Sequence, residues 1–583
     1  MHPTELPRSV LLPLRLLLMG SCASPCAGVT VWIAGSQGGS IDSSAHWSSG
    51  LPGSNQTGML SGEDQATIQQ HDDLDGFSIE FVGRSHVKSN SHVRASSATV
   101  TLSEAAEVDI KGDLSLGDDW NTGTSHVRVE DAASLRIGQD LVVGDLARGA
   151  MIIEGGLVDV DRDMEIAGGW GGIGSEVQAD GGMLRVGGDL FVGETITGSL
   201  TVDGGIVVAS NDLVIGKGSS TAGSYVVLDA GSIQASSITV GNQSTATYSQ
   251  TGGVCTTGGT IKVGASSSAG NSSLTLTGGT LEGGALEVGH GNAAHFSQSG
   301  GSSHFHGSVT FGVQNGYHST FHLSGGSFST DGNLGLNTST VSILSGGQAR
   351  IGGNVVVDSW GTSLQLSGAD LNVAGNLVTS QGAGVVQTQG AARITGDVRM
   401  GSGYSTYQLL GGSLAVGGTL TNQGDASRFE WRSGGTLAAF ESGGTIHASG
   451  AFVGGPGAVL DLNQELEVLS ISGTLILDGL VIDGYDLQLG SRVTQAIETG
   501  TITLIAANAI AGTSVSLLGF SSDIGRQIQA GEVFDAASEA VWWFDVSSDS
   551  VDLFWSVPSG VVPEPGPPML LAFAAPFLLR RRR

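Results

Sequence analysis

The sequence predicts an all-β protein: a right-handed parallel β-helix (solenoid) with N- and C-terminal β caps. Three observations lead there. Of 583 residues, 95 are glycine, which means many turns per unit length, yet 39% are hydrophobic and alternate with polar neighbours. A glycine marker recurs at Gly155, Gly181, Gly204, Gly252, Gly278, Gly300, Gly325, Gly346, Gly411 and Gly434, with Ala132, Ala230, Gly368 and Gly390 in the same slot of degenerate copies. From Ala132 the spacings run 23, 26, 23, 26, 22, 26, 22, 25, 21, 22, 22, 21 and 23 residues, the signature of a stacked array.

Side-chain pattern decides which array. Apolar pairs stand four and two residues before the marker, as in Met151 and Ile153, Leu200 and Val202, or Leu364 and Leu366. A second set stands nine and eleven after it, as in Met164 and Ile166, Leu190 and Val192, or Val355 and Val357. A spacing of two puts both members of a pair on one face of a strand, and no segment holds a 3.6 period, so helical repeats and leucine-rich horseshoes fail. Two or three short strands in about 22 residues fit one β-helical coil, whereas a propeller blade needs about 40. Thirteen or so coils at a strand spacing of ~4.8 Å give a rod roughly 60 Å long. Collagen is excluded by the absence of a three-residue period and by only 12 prolines.

The elements follow in chain order. Residues 1–27 carry Arg8, an apolar run from Val10 to Met19 and then "GSCASPCAG", the order of a secretory signal peptide. Cys22 and Cys26 lie in that leader, so the mature chain retains Cys255 alone and has no disulfide framework. Residues 28–100 keep β character ("VTVWIAG", "FSIEFVG") without the period and read as an N-terminal cap. Residues 101–450 are the repeats. Residues 451–560, richer in large aromatics such as Trp542, Trp543, Phe544, Phe554 and Trp555, read as a C-terminal β cap over the open strand edges. Residues 561–583 form a separate tail.

That tail, "VVPEPGPPMLLAFAAPFLLRRRR", places Val562, Pro563, Glu564 and Pro565 before an apolar segment containing Met569, Leu570, Leu571, Phe573, Phe577, Leu578 and Leu579, and ends in Arg580, Arg581, Arg582 and Arg583. It resembles the PEP-CTERM sorting signal, which implies an exosortase-type processing protease as partner and transient anchoring in the inner membrane. The uninterrupted apolar part is 11 residues. At ~1.5 Å per helical residue it covers roughly half of a ~30 Å hydrocarbon core. The repeats, for example "LFVGETITGSLTVDGG", resemble PEP-CTERM-associated and autotransporter-type β-helix repeats. The resemblance implies an exported protein, left at the cell surface or outer membrane or secreted.

Chemistry is sparse. A formal net charge of -30 repels phosphate backbones and argues against nucleic acid as a partner. "GWGGIG" at Gly169 and "GHGNAA" at Gly289 imitate nucleotide loops, but neither opens a helix, and corner turns account for both. No cofactor is expected. His290, His295, His304, His306, His318 and His322 fall within 33 residues. Of these His304, His306, His318 and His322 are the candidates for zinc, although no cysteine or firm acidic partner at fixed spacing accompanies them, and a solvated surface is the expected state. Asp72, Asp73, Asp75, Asp118 and Asp119 are weighed for calcium and read as turn residues. No pair of acids beside a base recurs on one predicted face, so no catalytic residue is assigned. The expected function is structural or adhesin-like, toward extracellular polysaccharide or matrix. The alternatives are a polysaccharide-degrading lyase or hydrolase and a calcium-dependent matrix protein.

Overall fold

The computed structural model describes residues 78–418 apart from positions 91, 121–122, 220–222, 269–270, 314–317 and 402; outside that range it describes position 45 and the strands at 29–31, 57–60, 65–68 and between 420 and 556. The segments expected from sequence to be a signal peptide (1–27), a sorting motif (562–565) and a membrane tail (569–583) lie outside the described residues.

One coil shows how the sequence folds. Gly149–Glu154, Leu157–Val160 and Met164–Ile166 are three strands separated by short turns. Each pairs in parallel with its counterpart in the next coil, at Ser175–Ala179, Met183–Val186 and Leu190–Val192. Repetition of this step builds three faces of a parallel β-helix, and no α-helix occurs among the described residues. The two apolar pairs seen in sequence are the inward residues of the first and third faces: Met151, Ile153, Met164 and Ile166 are fully buried. The second face was not spelled out by the sequence. It places Val158 and Val160 inward, then Leu184 and Val186 above them. Its inward positions are less uniformly apolar, holding Cys255, Thr257, Ser303 and Ala349 in later coils, which weakens the alternating pattern.

Two devices recur in the interior. Phe296, Phe305, Phe311, Phe321 and Phe328 form a buried aromatic cluster with ring centroids 4.8–6.1 Å apart. Buried Gln250, Gln298 and Gln387 each send Nε2 to the carbonyl oxygen of the glycine three residues on, Gly253, Gly301 or Gly390. The same amide donates across to the next coil, at Thr280, Ser327 or Ser413. A core glutamine therefore adds a side-chain donor at corner carbonyls, two of which, Gly253 and Gly301, also accept a backbone N–H from Thr280 and Ser327 of the next coil.

Corners need glycine for two distinct reasons. Gly204 has φ +90, which L side chains rarely adopt, while a Cβ on Gly205 would lie 2.5 Å from the Ala179 carbonyl oxygen. At the corner between the third and first faces, a Cβ on Gly193 would lie 1.9 Å from Ser224 Oγ of the next coil.

Parallel pairing runs across both boundaries expected at 100/101 and 450/451. Val29–Val31 already pairs in parallel with 57–59, and Thr57–Leu60 pairs with Ser78–Phe81. At the other end Leu469–Asp483 pairs in parallel with 505–518. Antiparallel pairing enters in that same strand, where 499–506 meets Ser550–Ser556 and 516–517 meets 528–529; Ala540–Val546 then lies against Ser550–Ser556 with Trp542 opposite Trp555 and Trp543 opposite Phe554. How those aromatic side chains pack lies outside the described residues.

Candidate functional site

Variation in the coil is concentrated at one edge. The turn from the second to the third face stays short, at 161–163 and 187–189 in successive coils, whereas the connection from the third to the first face is 144–148, then 167–174, then 193–197. This edge carries the most exposed apolar side chains among the described residues: Trp120 at 64%, Trp170 and Ile173 at 66%, Trp360 at 64% and Tyr404 at 63%. Trp360 is held in place by the backbone. Its ring lies against Gly382, where a Cβ would come within 2.7 Å of Cδ2, and its centroid is 5.8 Å from the Tyr404 ring. The two glycine-rich look-alikes, at 169–174 and 289–294, also lie on this edge and lead into the strands Ser175–Ala179 and Ala294–Gln298. No helix N-terminus is present at either to hold a phosphate.

Acidic side chains are mostly engaged in the coil itself. Oδ1 of Asp113, Asp140, Asp163 and Asp189 each accepts the backbone N–H of the next aspartate up, ending at Asp212, at 2.8–3.1 Å. Asn333, Asn354 and Asn376 continue the same ladder to Asp397. Among the calcium candidates, Asp118 pairs with Arg94 at 2.8 Å and stands beside Asp145, whose carboxyl is raised by burial and by a hydrogen bond with Asp118. Asp72, Asp73 and Asp75 lie outside the described residues.

One group of two acids and a base does form, contrary to the expectation of none. Glu165, Glu194 and Lys217 come from three successive coils. The Glu165 carboxyl is pushed up to about 8, first by burial and then by a hydrogen bond with Glu194. Lys217 Nζ lies 2.5 Å from Glu194 Oε1 and 3.4 Å from the centre of the Phe191 ring. Lys217 and Glu194 share the same offset from their markers while Glu165 does not, so spacing could not reveal the trio. The carboxyls hydrogen-bond one another, whereas glycoside hydrolysis needs a separation of roughly 5–9.5 Å with the sugar between them.

The histidines divide. His318 Nδ1 faces the Ser339 carbonyl and His322 Nε2 faces Ser345 Oγ, each at 3.4 Å. His304 and His306 lie together on the outside of the second face, flanking inward Phe305, with perpendicular rings 4.6 Å apart. His304 Nε2 is 3.2 Å from His306 Nδ1. Asp331 Oδ2 is 3.5 Å from the first of these atoms and 3.4 Å from the second. Glu282 Oε1 is 2.9 Å from His306 Nε2. The acidic partners missed in sequence are thus Asp331 in the coil after the two histidines and Glu282 in the coil before. The signal was present: Asp331 stands six residues after Gly325 as His306 does after Gly300, and Glu282 four after Gly278 as His304 does after Gly300. Both acids raise the pKa of exposed His306, chiefly through the hydrogen bonds its ring N–H groups donate to Glu282 and then to Asp331.

No family model and no curated protein matches this chain. Among solved structures, the crystal structure of the Haemophilus influenzae Hap adhesin matches with a TM-score of 0.33 and 10% sequence identity, over 86% of this chain and 64% of that one. The chain therefore spans less than two thirds of that neighbour's length.

Proposed function

We propose that this chain is an exported β-helical rod with a structural or adhesin-like role at the cell surface or in the extracellular matrix. The observation that carries the reading is the gathering of Trp120, Trp170, Ile173, Trp360 and Tyr404 on the one edge where coil length varies. A rigid repeating scaffold with exposed aromatic rings suits stacking on the apolar faces of sugars, and flat rings lose little entropy on binding. The negative net charge favours neutral over acidic glycans.

Binding of the purified protein to a glycan array, with no release of reducing or unsaturated ends, supports this role. Trp170→Ala and Trp360→Ala should each weaken that binding while leaving the β-sheet circular dichroism unchanged. Equal binding by both variants would remove the aromatic edge from the account. Export rests on the leader, and delivery rests on the tail at 562–583 as a substrate of an exosortase-type protease, anchored in the inner membrane until it is cut. Cell fractionation with and without the last 22 residues tests delivery, and an unchanged distribution would overturn it.

A further inference from the structure

We propose that His304, His306 and Asp331 form a three-ligand zinc site on the outer side of the second face, with Glu282 and Ser329 holding the two imidazoles in their ligating orientation. The proposal does not depend on the adhesive reading.

Distance is the first argument. Tetrahedral zinc with bonds of about 2.0–2.1 Å holds neighbouring donor atoms about 3.3–3.4 Å apart. The three donor atoms here, His304 Nε2, His306 Nδ1 and Asp331 Oδ2, are separated by 3.2, 3.4 and 3.5 Å. They form one face of such a tetrahedron, and all three mutual distances meet the requirement together.

Proton placement is the second argument and does not depend on the distances. Ser329 Oγ donates its single proton to the Ser303 carbonyl oxygen at 3.1 Å. It must therefore accept from His304 Nδ1, 2.9 Å away, which puts the proton on that nitrogen. On His306, Nε2 faces the Glu282 carboxylate, so Nε2 carries the proton there. In the neutral imidazoles the nitrogens left over are His304 Nε2 and His306 Nδ1, and both point lone pairs at each other and at the Asp331 carboxylate. While both imidazoles are neutral, three acceptors converging with no donor between them are mutually repulsive, and a cation at their centre reverses the sign, in competition with a proton on His306 Nδ1 shared with Asp331. Glu282 then acts on His306 as the carboxylate behind a metal-bound imidazole does, fixing the tautomer and raising ligand basicity.

The scaffold supports the geometry. His304 and Ser329 are paired positions in adjacent strands, Glu282 pairs with His304 from the strand on the other side, and Phe305 between the histidines is locked in the aromatic core. The fourth position faces solvent, where a water or a donor from another molecule completes the tetrahedron. Imidazole with carboxylate is a donor set that selects zinc over calcium or magnesium.

The test is titration of the purified, chelator-stripped full-length protein with zinc, read by calorimetry, with cobalt(II) as a visible probe of geometry. The expected result is one zinc per chain that survives excess calcium, and a cobalt spectrum of tetrahedral type. His306→Ala and Asp331→Asn should abolish both signals, Glu282→Gln should lower zinc affinity about 10- to 100-fold, and His322→Ala on the first face should change neither. Circular dichroism confirms folding, and Asp331→Asn is close enough in shape to keep the test valid if His306→Ala does not fold. No stoichiometric zinc, or equal zinc binding by His306→Ala and Asp331→Asn, would overturn the proposal and leave a histidine–carboxylate ion pair.

Discussion

The Tyr407 hydroxyl donates a 2.7 Å hydrogen bond to Oε1 of Gln387, one coil below, with both side chains fully buried. Through Nε2 the same glutamine holds the carbonyls of Gly390 and Ser413 at 3.2 and 2.8 Å, so three polar groups of two adjacent coils meet at one amide. Gln387→Leu keeps the volume and strands all three partners, and should cost about 2–5 kcal/mol from their lost pairing. Because a solenoid unfolds by neighbouring units, the loss should appear as reduced hydrogen-exchange protection in the coils on either side rather than along the whole rod. Tyr407→Phe in the Gln387→Leu background should recover part of it, since the stranded hydroxyl is gone.

Gly193 and Ser224 make a contact that recurs at this corner in Gly144 with Ser175, Gly241 with Ser272 and Gly289 with Ser319. Gly193 has φ +73, and Ser224 Oγ occupies the space its Cβ would need. Gly193→Ala should destabilise by about 2–5 kcal/mol, combining left-handed backbone strain with overpacking. Adding Ser224→Gly should relieve the steric part alone, which thermal denaturation of the three variants would separate.

Cys255 should be chemically silent in the folded protein. It is fully buried, and burial pushes its thiol up to about 12, so almost no thiolate exists at pH 8. Mass spectrometry after iodoacetamide treatment at pH 8 should find Cys255 unmodified in the native state and alkylated in denaturant. Alkylation of the native protein at the rate of a free thiol would contradict its place in the core.

Glu165 should give the protein a pH dependence opposite to that of a salt-bridged carboxylate. Its folded pKa, pushed up to about 8 by burial and Glu194, lies above the ordinary 4.5, so between those values the folded state holds more protons than the unfolded one. Stability from this group is therefore fully present below about pH 4.5 and declines as pH rises toward about 8. The melting temperature should fall over that window, and Glu165→Gln should flatten the decline. An unchanged slope in Glu165→Gln would show that other groups set it.

The sequence by itself determined the coil. Alternation of Leu200, Val202, Leu213 and Ile215 told inside from outside on two of the three faces, because a strand's side-chain period is two whatever surrounds it. The middle face was less legible, since a narrow interior accepts cysteine, threonine, serine and alanine there as well as valine. Tertiary structure alone decided which outward residues meet. Contacts join positions one coil apart, and the length of each coil is set by the variable edge, so the alignment of Glu165 with Glu194, or of His306 with Asp331, exists only once the coils are stacked. For His306 and Asp331 the shared offset from the marker held the information in latent form. For Glu165 it did not, because Glu165 is the outward residue of the third-face strand whereas Glu194 and Lys217 lie in the connection that follows that strand, and only stacking brings the two places together.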